Sequence, residues 1–103
     1  MENETEILTN NYLTAGMTFT PIAVKSFTTK KYSRIGVKIL DESGDEYYTT
    51  AAKIVKILTD LSDESKYGTK FTVVQKGTYN GFPVLSLTTD NAQINKEIML
   101  LMF

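Results

Sequence analysis

Acidic side chains are the main candidates for acid–base or metal chemistry in this chain. The sequence has neither histidine nor cysteine, which excludes the common nucleophile–base pairs and the zinc or copper sites that those residues form. Four carboxylates lie within residues 41–46 (DESGDE), but they lack the spacing of a calcium-binding loop. We interpret this stretch as a solvated hairpin turn. Glycine motifs that hold phosphate are also missing, so we expect no catalytic residues, no metal and no cofactor.

A second group of reactive side chains is cationic. Residues 19–38, called here the basic segment, contain five cations and no acid, although the whole chain has a net charge of −1. Aromatic and β-branched residues alternate with these cations, a combination typical of surfaces that bind single-stranded nucleic acid. Five phosphate contacts predict a slope of roughly −3.5 for log affinity against log salt. The alternative is that these cations only solvate an exposed sheet. The cations are Lys25, Lys30, Lys31, Arg34 and Lys38.

Aromatic rings are the other candidate contacts, because an exposed ring can stack on a base. Tyr79 and Phe82 flank Asn80-Gly81, a strong signal for a two-residue hairpin turn, where a core does not require them. The alternative is a cross-strand ring pair that only stabilises the hairpin. Lys76 lies in a second acid-free stretch that begins at Lys66 and could extend the basic path. Further rings expected near strand ends are Phe27, Tyr32 and Tyr47, whereas Phe19, Tyr48 and Phe71 fit inward positions.

The elements that must position these residues can be read from hydrophobic periodicity. Residues 1–16 form a polar arm that Tyr12 and Leu13 could attach to the body. Ile35, Val37 and Ile39 alternate with polar or small residues, so Arg34, Gly36 and Lys38 should point outward, with room over Gly36 for a nucleotide. We predict strands over 17–27, 34–39, 46–49, 70–76 and 82–88, with Tyr47 and Tyr48 on opposite faces of the third strand.

A helix should begin near residue 51, with Thr49 or Thr50 as its N-cap, and end within residues 60–64. Its apolar stripe is formed by Ala51, Ile54, Val55, Leu58 and Leu61, and Lys53 and Lys56 should lie on its solvated outer side. A short helix within 91–103 would carry Ile94, Ile98 and Leu101 on one face.

Five short strands with one helix between the third and fourth predict a mainly β fold, the five-stranded OB barrel. An open α+β sheet with the helix across it is the alternative. We expect one domain over residues 17–90, preceded by the arm (1–16) and followed by an apolar C-terminal segment (91–103). The absence of cysteine, of a signal-peptide pattern and of a long apolar run favours a cytoplasmic protein without a membrane partner.

On the element order, the basic aromatic strands and the Tyr-Asn-Gly-Phe hairpin, residues 17–90 resemble the compact single-stranded DNA-binding proteins of bacteriophages and other mobile elements. The resemblance implies an OB-fold that coats single strands during replication or recombination in the host cytoplasm, without catalysis or sequence preference and often as an oligomer. RNA is a further possible ligand. By position, the resemblance implies a groove lined by Lys25, Phe27, Arg34, Lys38, Tyr79 and Phe82.

The C-terminus departs from that family pattern and supports a different hypothesis. Cellular relatives end in a flexible linker and an acidic tip, whereas residues 98–103 of this chain are all apolar. Exposed apolar residues favour association, so we expect a homo-oligomer. The alternative function is therefore a protein-interaction or structural accessory module that uses this apolar end as its interface.

Overall fold

The computed structural model describes residues 11–30 and 33–102. Their strands form two antiparallel three-stranded sheets, ordered β2-β3-β4 and β1-β5-β6, which confirms a mainly β fold of the open α+β type. The strands are β1 (Thr18–Phe19), β2 (Pro21–Thr28), β3 (Ile35–Asp41), β4 (Glu46–Thr49), β5 (Phe71–Tyr79) and β6 (Phe82–Thr89), and the helices are α1 (Ala52–Asp60), α2 (Asp63–Lys66) and α3 (Ala92–Leu101).

The β2-β3-β4 sheet has one buried face and one outer face. Val37 and Ile39 are completely buried on the inner face, as their alternation with Gly36 and Lys38 predicted. Lys25 on β2 is the register partner of Lys38 on β3, and Lys38 is the partner of Tyr48 on β4. Register partners project to the same side of a sheet. These three residues therefore define the outer face.

The first predicted strand is divided between the two sheets. Phe19 pairs with Phe71 in one sheet, and Pro21 pairs with Asp41 in the other, with a register irregularity just after Pro21. Thr20 lies between them, donates its amide to Asp41 Oδ2 at 2.7 Å and accepts the Glu42 amide at 2.9 Å. Proline cannot donate to a strand ladder, which is why the break falls at this point.

The five-stranded barrel is not what the described residues form. A closed barrel requires the strand before the helix to pair with the last strand, here β4 with β6, and no such pair occurs within residues 11–30 and 33–102. The N-terminal segment occupies the free edge of β4 instead: Leu13 donates to the Tyr48 carbonyl and the Tyr48 amide donates to Asn11, both at 3.0 Å. Tyr12 and Leu13 thus attach the arm to the body, as predicted.

Helix α1 lies over the core with the apolar stripe that the sequence predicted. Ile54 and Leu58 are fully buried, as is Ile57, which the predicted stripe omitted. The N-cap residue is Ala51, not Thr49 or Thr50, and no side chain caps it. The Thr49 hydroxyl accepts the Ala51 amide at 3.1 Å, but Thr49 lies two residues before the N-cap and does not cap the helix. Two helices, α1 and the four-residue α2, separate β4 from β5, where one was predicted.

Helix α3 closes the core at the C-terminal end. Ile94 and Ile98 are buried, which confirms the predicted apolar face. Asn95 accepts the Thr89 amide at 3.0 Å and donates to the Thr89 carbonyl at 2.6 Å, so its carboxamide covers the end of the β6 edge. None of the helices in the described ranges has the length and apolarity needed to cross a membrane.

Candidate functional site

The β5–β6 hairpin carries the two most exposed aromatic rings of the described residues. Asn80 and Gly81 have φ values of 52° and 82°, and two consecutive positive φ angles are the requirement of a type I′ turn. Tyr79 and Phe82 are register partners on either side of this turn. Their exposed fractions are 72% and 73%. No ring contact joins them to each other within the part of the chain that the structure describes.

These two rings lie on the wall of a groove of about 570 Å³. One wall belongs to the hairpin and the first half of β6, and the other belongs to the start of α1. Arg34, which precedes β3, also lines it. This cavity, called here the groove, is lined by Arg34, Ala51, Ala52, Lys53, Tyr79, Asn80, Phe82, Pro83, Val84 and Leu85.

The charged residues of the groove lining all carry the same sign. Arg34 and Lys53 line it and no carboxylate does. Neither cation forms a salt bridge with a described residue. The first turn of α1 adds no acid. The groove therefore combines two uncompensated cations with two exposed rings.

Arg34 reaches the groove because of the loop between β2 and β3. The Thr29 amide donates to the Arg34 carbonyl at 2.8 Å, and the Arg34 amide donates to the Thr29 hydroxyl at 3.2 Å. These two bonds fix the backbone of Arg34 and leave its guanidinium exposed. Lys30 lies in the same loop and is also exposed. Lys31 and Tyr32, which were predicted to contact nucleic acid, lie outside the described residues.

A second cavity of about 590 Å³ adjoins the groove and shares Arg34 and Ala52 with it. Lys56 and Asp60 of α1 line this second cavity and form a salt bridge of 2.9 Å. The hydrogen bond from Lys56 lowers the pKa of the Asp60 carboxyl. This cavity therefore contains a compensated charge pair, which makes it less attractive to an anion than the groove.

Three predicted cations lie away from the groove. Lys25 and Lys38 lie side by side on the outer face of the β2-β3-β4 sheet. Lys38 forms a salt bridge of 3.6 Å with Glu46 there. Lys76 is exposed on β5 but does not line the groove. Lys66, which opened the second acid-free stretch, is buried and donates to the Leu58 carbonyl at 2.7 Å, so it stabilises the end of α1. None of these four residues joins Arg34.

Phe27 was predicted to line the site and instead fills the space over Gly36. A Cβ on Gly36 would lie 2.6 Å from Cζ of Phe27 and 2.8 Å from the Thr49 carbonyl oxygen. The Phe27 ring also contacts Tyr48 in an edge-on arrangement, with centroids 6.4 Å apart. The expected room for a nucleotide over Gly36 is thus occupied by a side chain of the protein itself.

Tyr47 was also predicted as a contact residue, and it belongs to the core. Its ring packs against Phe19, with centroids 6.4 Å apart, at the edge of the hydrophobic core. Burial, together with the negative charges of Asp45 and Asp41, raises the pKa of the Tyr47 phenol. Tyr48 is buried as expected, but on the outer face, beneath Tyr12 and Phe27. The period-two pattern of the strand correctly placed the two tyrosines on opposite faces of the sheet. It could not show that the outer face at Tyr48 is covered by other side chains.

Lys53 and the start of α1 line the groove but were not predicted as site residues. Lys53 was interpreted as a residue of the solvated outer side of the helix, whereas it lies beside the groove. Ala51 and Ala52, which precede it, have short side chains that leave the start of the helix open.

The acidic turn after β3 serves the fold. Asp41 is buried and accepts hydrogen bonds from the Thr20 amide and from the amide and hydroxyl of Ser43. These bonds, that of the Ser43 hydroxyl foremost, lower the pKa of the Asp41 carboxyl. Residues 41–45 form the predicted turn, but Asp41 is not solvated. Among residues 11–30 and 33–102, no cluster of three or more potential ligands could hold a metal ion.

Comparison with protein-family models, with curated proteins and with solved structures finds no match to this chain. The candidate site therefore rests on the geometry of its own residues.

Proposed function

We propose that this protein is a non-catalytic, sequence-independent binder of single-stranded nucleic acid, with single-stranded DNA as its first ligand and the groove as its site. One observation carries the proposal: a single groove is lined by two cations, Arg34 and Lys53, and by two exposed rings, and its lining contains no acid. The rings are those of Tyr79 and Phe82. The two segments that carry these rings and Arg34 are separated by more than forty positions in the chain. The fold, not sequence proximity, brings them together.

The rings supply the base contacts in this proposal. A cross-strand pair that only stabilised the hairpin would bury its rings against each other. Tyr79 and Phe82 are both exposed by more than 70% instead. Stacking of a base on an exposed ring contributes about 1–3 kcal/mol and tolerates any base. Two adjacent rings therefore hold two neighbouring bases without reading their sequence.

The cations supply the phosphate contacts. Arg34 offers a planar guanidinium that can bind a phosphate through two hydrogen bonds, and Lys53 offers a compact charge. Two phosphate contacts predict a slope of about −1.4 for log affinity against log salt. This is shallower than the slope of roughly −3.5 for five contacts, because Arg34 is the one described cation of the basic segment that lines the groove. The salt dependence therefore tests the groove specifically.

The strand order supports a relation to the OB-fold in an opened form. A first strand that is divided between two sheets, a helix after the third predicted strand and a final hairpin are features that an OB barrel shares. Here the N-terminal segment covers β4 where an OB barrel would close. We include in the proposal the role that the resemblance implies, in replication or recombination of a phage or other mobile element.

Titration of labelled oligo(dT) tests the proposal. Fluorescence anisotropy at about 50 mM salt should show saturable binding that weakens as salt rises, with the slope given above. Oligo(dA) and mixed-sequence strands should bind within a few-fold of oligo(dT), and duplex DNA should bind much more weakly because its bases cannot reach the rings. Absence of binding to every single strand at about 50 mM salt would overturn the proposal.

A second candidate function, a protein-interaction module, is favoured by one observation. Met99 and Leu100 on α3 are each exposed by 60% or more. Removing the segment after residue 97 would unfold the protein, because Ile98 is buried, so Met99→Gln/Leu100→Gln is the better variant. If α3 is the interface, this variant should lower the mass measured by light scattering, and the control Lys96→Gln should not. In that case the wild-type protein should not bind oligo(dT).

A further inference from the structure

The turn between Tyr79 and Phe82 contains a residue pair with chemistry of its own. Asn80 is the one asparagine among six in the sequence that glycine follows. In such a pair the glycine amide nitrogen can attack the asparagine carboxamide, because no side chain on glycine shields that nitrogen. Asn80 and Gly81 are both exposed. Asn80 also lies on the wall of the groove.

We propose that Asn80-Gly81 is a site of spontaneous deamidation, and that this modification lowers the affinity of the groove for its polyanionic ligand. The second half of the proposal rests on the proposed function, and the first half does not. The Gly81 nitrogen loses its proton and forms a bond to Cγ of Asn80, the bond from Cγ to the side-chain amide nitrogen breaks, and that nitrogen takes up a proton and leaves as ammonia. Water then opens the resulting five-membered imide to aspartate or isoaspartate.

The structure distinguishes Asn80 from the described asparagines on α3. Asn91 caps α3 by accepting the amides of Gln93 and Ile94, and Asn95 bonds to both backbone groups of Thr89. Those hydrogen bonds hold the two carboxamides away from the next amide nitrogen. No hydrogen bond to a described residue holds the side chain of Asn80. Its carboxamide can therefore rotate towards the Gly81 nitrogen.

The two products should affect the groove differently. Aspartate tolerates positive φ almost as well as asparagine, so it retains the type I′ turn and adds one negative charge. That charge lies between the two rings, in the groove lining that also contains Arg34 and Lys53. Isoaspartate adds a backbone methylene, which a two-residue turn cannot accommodate without loss of the Tyr79–Phe82 register. Both products therefore oppose binding, one through charge and the other also through geometry.

Peptide mapping by mass spectrometry tests the modification without any ligand. The folded protein is incubated at neutral and at mildly alkaline pH and sampled over days. We expect conversion at Asn80 ahead of the other five asparagines, and faster conversion at alkaline pH because the attacking nitrogen must lose its proton. An intact Asn80, or earlier conversion at another asparagine, would overturn the proposal.

A pair of variants tests the consequence for binding. Asn80→Asp reproduces the charged product, and Asn80→Gly retains a favourable turn without charge and cannot deamidate. We expect Asn80→Asp to bind oligo(dT) about two- to fivefold more weakly than Asn80→Gly at low salt, with a smaller ratio as salt screens the charge. Equal affinities would refute the effect on the groove. If fresh wild-type protein does not bind, the proposed function fails, while the peptide map still decides the modification.

Discussion

Two surfaces of this molecule combine cations with aromatic rings. The outer face of the β2-β3-β4 sheet carries Lys25, Lys38 and Phe27, and the groove carries Arg34, Lys53 and the two hairpin rings. On the outer face, Lys38 is paired with Glu46 and Phe27 packs over Gly36. In the groove, no described residue compensates the cations and the rings remain exposed. Residue types alone do not distinguish the two surfaces, whereas the contacts that each side chain already makes do.

The largest expected difference comes from removing rings. Tyr79→Ala/Phe82→Ala should weaken oligo(dT) binding by about 2–6 kcal/mol, because two stacking contacts are lost. The hairpin should persist, since Asn80-Gly81 specifies its turn. Phe27→Ala on the outer face should leave the oligo(dT) affinity of the folded protein unchanged and instead lower the free energy of unfolding. Anisotropy and urea denaturation measure the two quantities. Equal losses of affinity in both variants would show that the groove is not distinguished from the outer face as the binding surface.

Gly36→Ala tests the filled space on the outer face. The added methyl would meet Phe27 and the backbone oxygen of Thr49 at less than 3.0 Å. Overpacking of this kind typically costs about 1–3 kcal/mol, and the Thr49 carbonyl cannot rotate away as a side chain could. We expect a lower urea midpoint and an oligo(dT) affinity that is unchanged for the folded protein. A variant as stable as the wild type would show that the outer face has room for a ligand.

Acid should affect the fold through Asp41 before it affects the groove, whose lining has no carboxylate. The pKa of Asp41 in the folded state lies below its ordinary value of 3.8. Its contribution to stability is therefore complete only well above the unfolded-state pKa of 3.8, and it is lost as the pH falls from there through the lower, folded-state pKa. Asp41→Asn should lower the free energy of unfolding by about 1–2 kcal/mol at neutral pH, because charge-assisted hydrogen bonds become neutral ones.

The difference in stability between wild type and Asp41→Asn tests the role of Asp41 more sharply when it is measured as a function of pH. The gap in thermal midpoint between wild type and Asp41→Asn should narrow as the pH falls below about 4, since the wild type then also loses its carboxylate. Gly36→Ala is the control, because its cost is steric and its gap to the wild type should not depend on Asp41. A gap for Asp41→Asn that stays constant down to pH 2 would contradict the assigned role of this carboxyl.

Local patterns predicted the elements well, and the pairing of elements less well. The alternation of Val37 and Ile39, the stripe of α1 and the Asn80-Gly81 turn are set by neighbours in sequence, and the structure confirms them. The open arrangement depends on Asn11–Leu13 reaching β4 across more than thirty positions. No local period encodes such a contact. The partial burial of Phe27 and Tyr47 was not predictable from local sequence either, because each ring packs against residues that are distant in the chain.

Removing one positive charge from each surface gives the smallest expected effect on binding. It is also the most direct comparison of the two surfaces, because the change in net charge is the same. Arg34→Gln should weaken oligo(dT) binding by about 0.5–1 kcal/mol at low salt and reduce the magnitude of the salt slope by about 0.7. Lys25→Gln changes the net charge by the same amount on the outer face and should alter the slope by much less. Equal changes in both variants would indicate that the overall field attracts the strand and that the groove does not hold it. A change confined to Arg34→Gln places a phosphate contact beside the hairpin rings.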